Sequence, residues 1–233
     1  MNDVAHVVSS NVQTSWTVDQ IVDALEEDII FGFLSPRERL VEDNLCERFK
    51  TTRHTIRQAL MQLETAGLIV RRRNIGAMVK SYTAREVMEL YAAREALETH
   101  AASKIDFPVS DEQIQALKDI QAQHDVATKN HNMRAAFRAN IIFHQTLFKL
   151  ANNQVFSELI DDLARRAHVI RFQSMVDPSS LERARQDHWK IIHALEQQDR
   201  KALVAVCADH LLPSRDRYLM KYRTLSSGLL QEE

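Results

Sequence analysis

Glycine and proline are scarce in this chain, four of each among 233 residues, so few positions force a regular element to stop or turn. Cysteine is rarer still. Cys46 and Cys207 lie far apart and outside any CxxC spacing, which removes a disulfide framework and leaves two free thiols suited to a reducing compartment. No apolar run approaches the roughly 18 residues that a membrane span requires, and the first residues lack the apolar centre of a signal peptide. A cytoplasmic location with no membrane partner is therefore expected.

The formal net charge of −2 gives no sign of a polyanionic partner, yet the charge is unevenly spread. Between Pro36 and Lys80 ten Lys and Arg stand against five acids, a local excess of five positive charges. Such a segment is either a solvated charged face or a surface for a polyanion, and charge alone leaves the two readings even.

Apolar residues recur at three and four spacing over long stretches, which predicts a mostly helical protein. Residues 1–16 are polar and aperiodic and read as a flexible tail. Thr17 is placed to cap a helix with Val18, Ile21, Leu25 and Ile29 on one face, ending near Gly32. After a turn at Ser35-Pro36, a short helix over 42–49 carries Leu45, Cys46 and Phe49. Lys50-Thr51 makes a tight turn, and Thr52 caps a third helix that runs through Ile56, Leu60 and Leu63 to Gly67. Leu68-Ile69-Val70 and Ala77-Met78-Val79 then flank the basic stretch Arg71-Arg72-Arg73-Asn74-Ile75-Gly76, the pattern of a β-hairpin. Three helices and a basic hairpin in this order predict a winged helix-turn-helix over residues 17–80. Residues 81–84 read as a linker and 85–228 as an all-helical domain, with helices expected over 84–104, 111–129, 133–151, 153–174, 179–197 and 199–225.

Thr52, Arg53, His54, Thr55 and Arg57 occupy the cap and first turns of the third helix. In a helix-turn-helix this end of the second motif helix enters the major groove, where Arg can bond guanine twice and Thr can reach phosphate or a thymine methyl. Arg71, Arg72 and Arg73 on the wing are candidates for backbone or minor-groove contact. In the helical half, Asn140 and His144 stand at i and i+4 on one helix face, and His188 and His210 fall on the last two helices. Three imidazoles and one oxygen ligand suit a divalent transition metal with open positions; scattered histidines are more often surface or core groups.

The stretch LCERFKTTRHTIRQALMQLETAGLIVRRRNIGAMV resembles the DNA-binding domain of the GntR family, and SPRERL upstream resembles that family's PGxRL. Arg37 and Lys50 stand where the family favours Gly, His54-Thr55 replaces a common Thr-Pro pair, and Gln58 replaces Glu. NIIFHQTLFKLANNQ, DHWKIIHALEQQDRKALVAVCADHL and AREALETHAA are similar to segments of the FCD domain, the helical effector domain of the FadR subgroup. The resemblance implies a homodimeric, ligand-responsive regulator, not an enzyme, with Arg53 and Arg57 foremost on double-stranded, palindromic operator DNA. It further implies a divalent metal, most often zinc, on Asn140, His144, His188 and His210, and a small carboxylate effector met by Arg94. Asn140 replaces the family's Asp and so brings no charge to the metal. Arg94 also stands one turn from Glu98, where an ordinary helix salt bridge would form. The alternative from a different class is a zinc-dependent hydrolase using the three histidines; it needs a general base, and Asp187, beside His188, is the acid considered for it.

Overall fold

The computed structural model describes residues 16–175 and 177–228. The expected tail over 1–16 lies outside them except for Trp16, whose ring meets Phe49 edge-on at 5.1 Å. The described residues form a mainly helical chain with one small sheet at its N-terminal end.

Helix α1 (Val18–Ile30) opens on a reciprocal cap: Thr17 accepts from the Gln20 amide while the Gln20 side chain accepts from Thr17 N–H. It buries Ile21, Leu25 and Ile29, three residues of the expected face. Strand β1 (Arg39–Leu40), helix α2 (Glu42–Phe49), helix α3 (Arg53–Thr65) and strands β2 (Ile69–Arg72) and β3 (Gly76–Val79) complete a winged helix-turn-helix. The antiparallel sheet has the order β1-β3-β2, with Met78 opposite Arg39 on one side and Val70 on the other. The two-residue β1 was not foreseen, because its partner lies almost 40 residues downstream and two residues show no periodicity.

Seven helices follow: α4 (Ala84–Ser103), α5 (Asp111–Lys129), α6 (Met133–Lys149), α7 (Gln154–Arg166), α8 (His168–Met175), α9 (Pro178–Glu196) and α10 (Arg200–Gly228). The single helix expected over 153–174 is in fact two. The break falls at Ala167, whose amide is shared between the carbonyls of Leu163 and Ala164, so no Gly or Pro marks it. Burial explains the bend: Ala167, Val169 and Ile170 are fully enclosed in the core that holds α1 and α3. α8 turns to present them there.

That core does not stop at the wing. It continues through Tyr82, Val87 and Tyr91 into α4, and through Leu211 and Tyr218 into α10. Tyr218 hydroxyl donates to the Tyr82 carbonyl and accepts from the Tyr82 amide, at 3.0 and 3.2 Å. A second apolar cluster, with Phe143, Leu147, Phe148, Ile191 and Leu203, fills the helical bundle. A third, small one seats Ile30 of α1 against Phe137 and Leu181. The first helix of the winged unit is thus packed against the bundle rather than tethered to it.

Candidate functional site

The segment Thr52–Arg57 projects from the start of α3 as the sequence predicts. Thr52 caps the helix through the Thr55 amide at 3.3 Å, and its hydroxyl lies 3.0 Å from that of Thr55. Arg53, His54 and Arg57 are exposed. The two arginines are held from behind by acids of α2: Arg53 meets Asp43 at 2.8 Å, and Arg57 Nε donates to both carboxylate oxygens of Glu42. Arg71 pairs with Glu64 and donates to the Arg57 carbonyl, tying the wing to α3. Arg72 and Arg73 stand exposed at the tip. The turns that place this surface use left-handed backbone at Arg37 (φ 70°) and Lys50 (φ 47°), so both keep the shape that glycine would give.

In the bundle, His144 on α6, His188 on α9 and His210 on α10 point their Nε2 atoms at one another. His144 Nε2 lies 3.1 Å from that of His210 and 3.3 Å from that of His188. Tetrahedral coordination with Zn–N bonds of about 2.05 Å places ligand nitrogens about 3.3 Å apart, so the three imidazoles fit such an ion. Their outer nitrogens explain part of the aim. Gln121 Oε1 on α5 accepts from His188 Nδ1 at 2.7 Å, and Asp187 Oδ2 sits 3.6 Å from His210 Nδ1. Groups of this kind fix tautomer and ring direction around a metal. Burial holds the imidazoles of His144 and His188 well below the ordinary histidine range, so both are neutral and keep a free lone pair.

Asn140, one turn before His144, is 3% exposed and its amide Nδ2 has no hydrogen-bond partner. It lines a cavity of about 420 Å³ together with Arg94, His144 and Arg171. These four residues also border an inner cavity of about 60 Å³ that holds His210 and Asp187. Arg94 and Glu98 form the buried i,i+4 salt bridge that their spacing allowed, at 3.0 Å. The outer mouth is walled partly by α1: Asp23, Glu26, Glu27 and Ile30 all line it. Glu26 accepts from His168 at 2.8 Å and lies 3.8 Å from Arg165; Glu27 is paired with Arg134 and Arg138. Burial alone would raise the Glu26 carboxyl, but His168 and Arg165 outweigh it and leave the group below its ordinary value.

Residues 89–212 match the FCD domain family, and residues 17–79 match the family described as bacterial regulatory proteins, gntR family. The first match alone takes in more than half of the chain. The chain belongs to the GntR family of bacterial regulators and carries an FCD domain. It resembles the HTH-type transcriptional repressor RspR of Escherichia coli (strain K12), 26% identical over 192 residues, 82% of this chain and 84% of the relative. The HTH-type transcriptional regulator YdhC of Bacillus subtilis (strain 168) is 25% identical over 184 residues, 78% of this chain and 82% of its own length. Among solved structures, Escherichia coli McbR/YncC shares the fold with a TM-score of 0.75 at 18% identity, covering 88% of this chain and 98% of its own. A GntR transcriptional regulator from Rhodococcus sp. RHA1 does so at 0.73 and 22%, covering 87% and 97%.

This GntR-family protein is therefore a DNA-binding transcription regulator with a helical effector domain. No helix among its described residues is long and apolar enough to cross a membrane. The geometry brings His144, His188 and His210 together, with Asn140 on the adjoining cavity wall. Sequence reading did not single out Gln121, Asp187 as an orienting group, or the acids of α1. Only the pattern EED at 26–28 hinted at the last, and nothing local says which surface those acids face.

Proposed function

We propose that the regulator is a zinc-dependent, carboxylate-responsive repressor that binds palindromic operator DNA as a homodimer. The observation that carries this reading is the convergence of three imidazole Nε2 atoms beneath a 420 Å³ cavity lined also by Arg94 and Arg171. Residues 17–80 are assigned to DNA binding, 81–84 to a linker and 85–228 to sensing and dimerisation. Arg53 and Arg57 read base edges from the start of α3, with Thr52, His54 and Thr55 beside them, and Arg71, Arg72 and Arg73 engage the backbone or minor groove. The name of the Escherichia coli relative, a repressor, supports the sign of regulation.

His144, His188 and His210 would hold the metal, with Asn140 Oδ1 as a weaker neutral donor. Zinc bound there supplies a Lewis-acidic face for a carboxylate oxygen. Arg94, kept rigid by Glu98, offers its remaining N–H groups to the same ligand. Asp187, the acid a hydrolytic reading would need as a base, is engaged instead by Lys190 at 2.9 Å and faces the outer nitrogen of His210. Coupling to DNA runs through α1. An anion in the cavity meets Arg138, Arg165 and His168, the groups that hold Glu26 and Glu27, and so shifts the balance between two placements of the winged unit.

Gel shift on genomic fragments, repeated with zinc or EDTA and with small carboxylic acids, tests the reading. Binding should weaken steeply between about 50 and 200 mM salt, as phosphate contacts require, and at least one acid should release the DNA only when zinc is present. DNA binding that is absent or insensitive to salt would sink the regulator's assigned surface. Acid response unchanged in His144→Ala would remove the metal from it.

A further inference from the structure

The hairpin that follows α3 has a fastened base and a free-standing tip. Glu64, in the last turn of α3, accepts from the Arg71 amide at 3.1 Å and pairs with the Arg71 guanidinium at 3.3 Å. Arg71 Nη2 donates in turn to the Arg57 carbonyl at 3.1 Å. Together these contacts set the angle of the wing against the helix that carries Arg53 and Arg57. Residues 72–76 project beyond them as a turn. The Ile75 amide closes it by donating to the Arg72 carbonyl at 3.1 Å, and Asn74 is left-handed at φ 65°.

That tip is cationic and bare. No acid occurs between Glu64 and Glu86, a stretch with five Lys and Arg, and Arg72, Arg73 and Asn74 are exposed. Among these polar groups stands Ile75, 41% exposed. It joins none of the three apolar clusters of the described residues. Beside it, no atom outside the chain neighbours lies within 4 Å of where a Gly76 Cβ would stand. One exposed apolar residue is ordinary on a protein surface; the company of this one is not. Arginine and asparagine donors around a projecting apolar side chain are the groups with which proteins occupy the DNA minor groove. The floor of that groove carries acceptors alone at A·T pairs, whereas G·C adds the guanine N2 amino donor.

We infer that Ile75 is a specificity-determining residue for DNA: seated in the minor groove beside the half-site read by α3, it selects A·T pairs by excluding the guanine amino group. The inference rests on the assignment of the wing to DNA made above, and adds a base preference at positions that α3 does not touch. Donors of Arg73 and Asn74 meet N3 and O2 acceptors, which A·T and T·A present alike, so the orientation of the pair goes unread. A G·C pair would press its amino group against the Ile75 methyls, where that donor loses its water and gains no acceptor. Contacts from the arginines to phosphate carry no such preference. Their attraction to the narrow groove of A-tracts follows the potential of the whole tract, whereas the exclusion by Ile75 acts on a single pair.

The experiment begins with a random duplex library enriched on the full chain. One enriched duplex is then remade with A·T, diaminopurine·T, G·C or inosine·C at each position flanking the α3 half-site, and binding is read by fluorescence anisotropy at fixed salt. Diaminopurine adds the N2 amino group to adenine and inosine lacks that of guanine, while the major-groove face of each pair is kept. At the positions under the tip, wild type should bind the A·T and inosine·C duplexes within about twofold of each other. Diaminopurine·T and G·C should bind about fivefold to a hundredfold more weakly, the cost of a buried donor left unmet. In Ile75→Ala the amino group keeps its water, so the four duplexes should converge to within about twofold, with affinity for random duplex unchanged. Ile75 lies outside the core, and a melting curve of the variant verifies its fold. Equal binding of all four duplexes by wild type, or discrimination that survives in Ile75→Ala, overturns the inference and leaves the wing assigned to DNA. A library without enrichment, or DNA binding unchanged when Arg72 and Arg73 are both replaced by Ala, removes the wing from the DNA surface and the inference with it.

Discussion

Lys50 carries left-handed backbone at φ 47°, in the turn between α2 and α3. An L-residue bearing a Cβ is disfavoured there by roughly 1–2 kcal/mol, and glycine gives back part of that through its extra freedom in the unfolded chain. Lys50→Gly should therefore raise stability by up to about 1 kcal/mol, read as a higher urea midpoint with unchanged slope; a lower midpoint would show that the lysine stem contributes packing. Asp177 is a second residue whose position has a measurable consequence. It caps α9 through the Ser180 amide, accepts from Ser179 and meets Arg217 of α10 at 2.6 Å. The Ser179 hydroxyl foremost, with Ser180 and Arg217, holds its carboxyl at about 2. A depressed carboxylate stabilises the fold above its ordinary pKa of 3.8 and loses that contribution as pH falls toward about 2. Asp177→Ala should cost about 1 kcal/mol at neutral pH, and its deficit against wild type should shrink as pH falls from about 4 toward 2. A deficit independent of pH would place the loss in packing.

Among the elements, those with a local cause were legible. The caps at Thr17 and Thr52, the turn at Lys50-Thr51, the stops at Gly32 and Gly67 and the basic hairpin all depend on residues within a few positions of one another. What escaped depends on distant partners: β1 exists only because β3 returns to it, and α7 and α8 part at Ala167 because a core 100 residues upstream needs Val169 and Ile170. The site divides in the same way. The i,i+4 relation of Asn140 to His144 and of Arg94 to Glu98 is written in the spacing, whereas the placement of Arg171 beside them on the cavity wall is visible only once α8 has been packed. Helix α3 carries a further such relation. Glu42 and Asp43 of α2 occupy Arg57 and Arg53 in the free protein, exposed pairs worth at most about 1 kcal/mol. DNA bound at these arginines, as proposed, must displace them. Glu42→Gln should raise affinity for any duplex by about twofold to fivefold, whereas Arg57→Ala should lose about 1–3 kcal/mol on the operator and relax discrimination there. Equal losses on operator and random DNA would move Arg57 from base reading to phosphate contact.

At the scale of the whole molecule, the apolar core decides how sensing can reach DNA. Leu211 belongs to α10 of the FCD domain and borders the inner cavity, yet it is 3% exposed within the cluster that also holds Ile56, Leu60 and Leu63 of α3. A winged unit joined only by a linker would unfold independently of the bundle. One that shares side chains with α4, α8 and α10 gains part of its stability from them, and a change at the cavity is then felt in its packing. Leu211→Ala removes three buried carbons, which costs about 2–5 kcal/mol when the gap does not close. The loss should appear as faster amide exchange in α1 and α3 as well as in α10, within a single cooperative unfolding transition. Two separated transitions, with exchange in α3 untouched by the substitution, would break the link between cavity and reading helix. Coupling would then have to pass through the α1 residues on the cavity wall, the ion-paired Glu26 and Glu27 and Ile30 with its contacts to Phe137 and Leu181.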